Sequence, residues 1–314
     1  MKNEDDGIVF FCVSLIENKD TIKKSILIMN KLYIRPSFTI ICPQNSINEF
    51  KNEFYNYSNV EIIDENSILP MQEFLKVAIE IFNMKNLDIK NLKHFRLNWY
   101  YQQVLKISFL LSNNKNDKKI VMWDADTIPL KKIKFFKKEK SLLYGSLSEY
   151  NTPYFETIRT IFGELPKKYR AFTVQFFSCT QKEINFLIKK FENYLPRENE
   201  QNGKWVSKII LKGVIETHGT LAGSLISEQE VVGISNLMFQ NSVQKQKKII
   251  YIRFRLTGLL DKNQIQLIKY LGFTHLTYEM WSIVNKKQKW GELLTIVLKE
   301  YYTSFRYLIN KPRV

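Results

Sequence analysis

Histidine and cysteine are the scarcest chemistry-bearing residues in this chain of 314, with three of each. His94, His218 and His275 are too few for a histidine-rich metal cage, and Cys12, Cys42 and Cys179 fall in no zinc-binding spacing. Thiols so far apart, two of them inside strand-like runs, point to a reducing cytoplasm. Glycine is also sparse. Neither Gly-x-Gly-x-x-Gly nor a Walker loop occurs, which argues against a dinucleotide-binding fold and a P-loop kinase, so phosphate must be held by other means. No apolar run reaches membrane-spanning length; the longest, Ile8 to Ile16, is too short. The opening residues, with Asp5 and Asp6, lack the charge pattern of a secretory signal. No Gly/Ser/Pro-rich linker divides the chain, which favours one large domain over residues 1–280 with a helical appendage over 281–314. Acid is in the minority, 31 residues against 47 basic ones, for a net charge of +16. That excess favours an anionic partner, whether nucleic acid, a phospholipid surface or a charged glycan carrier, and does not choose among them.

What is present reads first as alternating strands and helices. Ile8 to Leu15 predicts a strand, Thr21 to Leu32 a helix with Ile22, Ile26, Met29 and Leu32 on one face, and Ser37 to Cys42 a strand closed by Pro43. Glu49 to Tyr57 predicts a helix and Val60 to Ile63 a strand ending at Asp64-Glu65. This alternation implies a mostly parallel sheet between helical layers, an α/β three-layer architecture. Further on, Leu142 to Leu147 and Ala171 to Cys179 predict strands, Lys182 to Tyr194 a helix, and Pro196 to Lys204 a loop.

The most informative stretch is Val121 to Leu130. An apolar run, Ile120 to Trp123, is followed at once by Asp124-Ala125-Asp126, and Pro129 ends the strand soon after. Two carboxylates one residue apart at a strand's C-terminal end stand where open α/β sheets bind ligands. Hard oxygen ligands there suit Mg²⁺ or Mn²⁺ on a substrate diphosphate. Upstream, Arg96 to Ser112 predicts a helix whose Tyr100, Val104, Ile107 and Leu111 form a core face, while Trp99, Gln103 and Lys106 share another arc with Gln102 beside them. Ser227-Glu228-Gln229-Glu230 predicts a helix start, with Ser227 as N-cap and Glu230 completing a capping box. From Trp281 onward, Lys286, Lys287, Lys289, Lys299, Arg306, Lys311 and Arg313 alternate with Trp290, Leu293, Leu294, Val297, Leu298, Tyr301, Phe305 and Leu308. Such a basic amphipathic helix can lie on an anionic membrane or pack its apolar face on the domain.

In this order and spacing, these segments resemble a bacterial glycosyltransferase of the GT-A type, of a group formerly described only as a domain of unknown function. The segments are Val13-Ser14, Ile62-Ile63-Asp64-Glu65 with Leu69-Pro70, Trp99 through Gln102-Gln103 to Lys106, Trp123-Asp124-Ala125-Asp126, and Ser227-Glu228-Gln229-Glu230, in which Gln229 replaces the group's aromatic and Gly233 keeps its place. The resemblance implies a GT-A-like, Rossmann-like sandwich with a C-terminal helical extension. It implies a divalent metal on Asp124 and Asp126 and a UDP-linked nucleotide-sugar donor. Ser14 would border the base, and Trp99 and Thr127 the donor. Lys106 would pair with phosphate or an acidic sugar, while Gln102, Gln103, Asp64 and Glu65 would bond sugar hydroxyls. If the anomeric centre is inverted, Glu228 is the first candidate for general base and Glu230 the second; retention removes that need. His218 or His275 would be an added metal ligand, although a lone histidine is more often structural. The implied activity is metal-dependent transfer of a sugar to a surface glycan, of lipopolysaccharide or capsule type, at the inner face of the cell membrane. A nucleotidyl- or phosphoryl-transferase would also use paired acids and metal. A nucleic-acid-binding protein is supported by net charge alone, since no helix-turn-helix or RNA-recognition motif emerges.

Overall fold

The computed structural model describes residues 6–84, 95–113, 118–146, 150–167, 169–240, 247–253, 260–278 and 288–309. Its first half runs β1 (Val9–Val13), α1 (Lys19–Leu32), β2 (Ser37–Cys42), α2 (Ile47–Glu53), β3 (Val60–Asp64), α3 (Met71–Met84), α4 (Leu97–Ser112) and β4 (Ile120–Trp123). Then come β5 (Thr127–Pro129), the two-residue strands β6 (Phe136–Lys137), β7 (Lys140–Ser141) and β8 (Tyr144–Gly145), α5 (Thr152–Phe162), β9 (Phe176–Cys179), α6 (Gln181–Tyr194), α7 (Asn202–His218) and α8 (Glu228–Phe239). The chain closes with β10 (Lys247–Lys248), α9 (Lys262–Tyr270), β11 (His275–Thr277) and α10 (Trp290–Ile309).

The main sheet has the order β3-β2-β1-β4-β9. Its first four strands are parallel, and β9 runs antiparallel to β4 with Trp123 opposite Phe176. Successive side chains on a strand point to opposite faces, and here both faces are apolar. Phe11 and Val13 of β1, Ile41 of β2 and Met122 of β4 join the core under α3 to α8, while Phe10, Cys12, Ile40, Val121 and Trp123 join the core under α1 and α2. At about 1.5–3 kcal/mol for each large apolar side chain buried, this two-sided burial holds the sheet between its helical layers. The α/β three-layer architecture, with a mostly parallel sheet, is therefore the observed one.

Some predicted boundaries moved. The loop expected through Lys204 gives way at Asn202 to α7, a helix with Trp205, Val206, Ile209 and Ile210 fully buried. Its Gly203 lets the backbone of Ile68 approach to 2.4 Å of where a Cβ would sit, so the residue that reads as a breaker is there for close packing. The strand expected from Ala171 starts only at Phe176, because residues 171–175 turn to meet α8. Ser227 does precede α8, but its side chain caps nothing; the predicted capping box is not formed, because Glu230 is drawn to other donors described below. His94, the end of the strand expected over Leu142 to Leu147, and Trp281 to Lys287 lie outside the described residues. The C-terminal helix begins at Trp290 and packs Leu293, Ile296 and Val297 against Leu276 and Phe273 in a third apolar cluster. Among the described residues, no helix is long and apolar enough to cross a membrane.

Candidate functional site

The chain fills the sheet from β1 outward to β3, then reverses to place β4 on the other side of β1. Such a reversal leaves a crevice beyond the strands' C-terminal ends, because the connections leave in opposite directions. A cleft of about 850 Å³ opens there, lined by Val13 at the end of β1 and by Asp124, Ala125 and Asp126 at the end of β4. This is the size range of small-molecule sites.

The acidic turn is tightly built. The Asp124 N–H donates to the Gln175 carbonyl at 3.0 Å, the Thr127 N–H to the Asp124 carbonyl at 3.0 Å, and the Tyr278 N–H to the Asp126 carbonyl at 2.8 Å. The indole of Trp123 donates to the Thr127 carbonyl at 2.8 Å. Thr127 then enters β5, which pairs with β11, and its buried hydroxyl meets that of Thr277. The two carboxylates are thus aimed by backbone bonds on both sides.

Opposite them stands α4. Trp99, Gln102, Gln103 and Lys106, which the sequence placed near one arc, all line the cleft. Lys106 Nζ lies 2.6 Å from Asp124 Oδ1 and 2.8 Å from Glu228 Oε1, with side-chain exposures of 5, 16 and 3% for Lys106, Asp124 and Glu228. Burial alone would drive the proton off this lysine, but the two carboxylates outweigh it and raise its pKa overall, so the ammonium stays charged. Gln103 Oε1 accepts the Glu228 N–H at 2.9 Å, supplying from α4 a bond to one of the open donors at the start of α8.

The first turn of α8 reaches back to the segment before β9. Gln229 Oε1 accepts from the N–H groups of Val174 and Gln175 at 2.8 and 2.9 Å, and its Nε2 donates to Asp124 Oδ2 at 2.9 Å. Glu230 Oε1 accepts from the Phe172 and Thr173 N–H groups and the Thr173 hydroxyl, at 2.8, 3.1 and 2.9 Å. Gly233 makes this approach possible: a Cβ there would meet the Phe172 ring at 2.1 Å. Gln175 sits at φ +66°, a left-handed conformation uncommon for a side-chain-bearing residue and frequent where a site stores strain. With its amide turned to satisfy both ends, Gln175 donates to Asp124 Oδ2 at 3.2 Å and accepts from Arg253 at 3.1 Å.

Of the residues the sequence singled out, Trp99, Gln102, Gln103, Lys106, Asp124, Asp126 and Glu228 meet in the cleft, and Ser14, Asp64, Glu65, Thr127 and Glu230 are not among its lining. The Ser14 hydroxyl donates to its neighbour's carbonyl, Leu15, at 2.8 Å. Glu230 is fully buried as a backbone organiser of residues 172–173. His275 is stacked on Tyr251 at 4.7 Å behind the cleft, where burial pushes its ring down to about 3 and keeps it neutral. His218 bonds Thr157 at 3.0 Å. Gln229, Gln175, Arg253, Tyr154 and Tyr251 line the cleft without having been read from the sequence as cleft residues. Only Gln229 carried a signal, its place within the Ser-Glu-x-Glu segment. Among the described residues, no three of His, Cys, Asp and Glu converge to hold a metal ion. Each oxygen of Asp124 already accepts a hydrogen bond, Oδ1 from Lys106 and Oδ2 from Gln229. A divalent ion chelated by both aspartates would stand against the Lys106 ammonium, a like charge, so the residues do not fit such an ion.

No family model matches the chain, and no curated protein matches it in sequence. Among solved structures, apo mouse xyloside xylosyltransferase 1 aligns with a TM-score of 0.40 and 9% identity over 89% of this chain and 99% of its own. The galactosyltransferase LgtC, in complex with donor and acceptor sugar analogs, aligns with a TM-score of 0.36 and 10% identity over 65 and 70%. An active-site mutant of LgtC gives 0.40 and 10% over 95 and 96%. Likeness at this level is one of outline only, and the site's own residues carry the functional reading.

Proposed function

We propose that this chain is a glycosyltransferase of GT-A type that takes a sugar from a nucleotide-sugar donor, UDP-linked in the first instance, and passes it to a surface glycan acceptor of lipopolysaccharide or capsule type. The observation that carries the reading is the rigid Asp124-Ala125-Asp126 turn on the floor of a polar cleft at the sheet's switch point. In this reading Arg253 and the remaining N–H of Lys106 meet the negative charge that gathers on the departing diphosphate. Trp99 and Tyr154, stacked with ring centroids 6.4 Å apart and with Arg96 over the indole, offer an apolar wall for a sugar ring. Glu228 lines the cleft and takes the proton of the acceptor hydroxyl as that oxygen attacks the anomeric carbon. Asp126 orients the donor. A thermal-shift panel of nucleotide sugars tests this. One donor should stabilise the wild-type protein by several degrees and lose at least about ten-fold in affinity with Asp126→Asn. A panel in which no nucleotide sugar binds removes the reading.

We further propose that α10 rests on an anionic lipid surface near the acceptor. Its buried face is Leu293, Ile296 and Val297. A second stripe, Trp290, Leu294, Leu298 and Tyr302, is 44, 46, 69 and 63% exposed at four-residue spacing, on a chain of net charge +16. Changing both Leu294 and Leu298 to Asp should abolish co-sedimentation with phosphatidylserine vesicles. Unchanged co-sedimentation would discard the membrane role.

A further inference from the structure

We infer that Lys106 is the resident cation of this site: its ammonium stands against Asp124 where the sequence called for a divalent ion, and Asp124 anchors that lysine instead of ligating metal. The inference takes its ligand, a donor diphosphate, from the function proposed above, and its geometry from the described residues alone.

Three observations carry it. Lys106 comes from the middle of α4, flanked by the buried Leu105 and Ile107, so the ammonium is delivered by a packed helix and not by a mobile surface chain. It lies within hydrogen-bond distance of two carboxylates, the partly buried Asp124 at 2.6 Å and the almost wholly buried Glu228 at 2.8 Å. The other oxygen of Asp124 receives the amide of Gln229 at 2.9 Å and that of Gln175 at 3.2 Å. A divalent ion approaching Asp124 would have to break donor bonds already formed and to sit beside a like charge in a site where water screens poorly. A tethered ammonium costs no ion from solution, and it ties the floor of the cleft to Glu228 through one group. Two of its three N–H bonds are spent on these carboxylates. The third has no partner among the described residues and serves the ligand's anionic oxygen.

Mn²⁺ alone is the probe. In the full chain stripped with chelator, Lys106→Ala leaves Asp124 and Glu228 facing one vacated cation position, which hard carboxylate oxygens offer to Mn²⁺. Calorimetry should show Lys106→Ala binding Mn²⁺ at least about ten-fold more tightly than wild type, with the gain erased when Asp124→Asn is added. A folded Lys106→Ala protein with no gain overturns the inference. Should that variant fail to fold, Asp124→Asn decides. Its Mn²⁺-induced melting shift should equal that of wild type to within about 1 °C, nil shifts included. A wild-type shift of several degrees that Asp124→Asn removes would make Asp124 a metal ligand and overturn the inference. No nucleotide sugar enters either arm, so these results stand or fall separately from the donor panel.

Discussion

Two acidic pairs close two parallel strands of the same sheet, and only one of them belongs to the cleft. Asp124 and Asp126 follow β4, which lies beside β1 where the strand order reverses; Asp64 ends β3, the sheet's outer strand, and Glu65 follows it. Around Asp124 the fold gathers a lysine, two amides and a second carboxylate. At the outer strand, Asp64 accepts the N–H of Asn66 at 2.8 Å and caps a short turn, and no ion pair among the described residues reaches either acid. Glu65 is held above its ordinary pKa, first by burial and then by the charge of Asp64 beside it. A strand-end acid becomes a candidate site when the sheet order opens a crevice over it and a neighbouring helix brings a counter-charge. The sequence motif supplies only the acids.

Matched substitutions give the largest test of this contrast. Asp124→Ala removes the acceptor of the Lys106, Gln229 and Gln175 bonds while Glu228 still pairs with Lys106, and should lower unfolding free energy by about 2–3 kcal/mol, read from urea denaturation. Asp64→Ala loses one capping bond at the sheet edge and should cost roughly 1 kcal/mol. Equal losses would break the comparison. The smallest effect lies at Glu65. Its folded pKa is raised, so between its ordinary value near 4.5 and that raised value the folded state binds more proton than the unfolded one. Glu65 therefore adds stability at pH below about 4.5, and that contribution is lost as pH rises through its folded pKa. Glu65→Gln should accordingly be no less stable than wild type at neutral pH and should flatten the wild-type decline above that point. A Glu65→Gln protein clearly weaker at pH 7 would show that this acid has a partner after all.

Much of the fold was legible along the chain because it rests on local periodicity. The β-branched run Ser37 to Cys42 is β2 to the residue, and the core face of α4 followed from Tyr100, Val104, Ile107 and Leu111, all fully buried or nearly so. The Trp99, Gln103 and Lys106 arc was legible for the same reason, since helical spacing places it together, beside that face. The segment Ser227 to Glu230 misled. Its spacing is that of a capping box, yet Glu230 is taken by the backbone of Phe172 and Thr173, more than fifty residues earlier in the chain. Local patterns carry no record of such a competitor. Nor could spacing show that Gln175 turns left-handed to meet Asp124 and Arg253, because its partners, among them the Gln229 side chain that takes its N–H, come from distant parts of the chain.

The sequence by itself determined the alternation of elements, the acids at the ends of β3 and β4, and the polar arc of α4, all set by interactions within a few residues. The tertiary structure decided which acids share a cleft, which cation stands beside Asp124, and that Glu228 rather than Glu230 lines the cleft. Those outcomes depend on the sheet order and on the contacts of α4 and the end of β4 with α8, which lies more than a hundred positions further along and meets them only when the apolar faces of the sheet are covered.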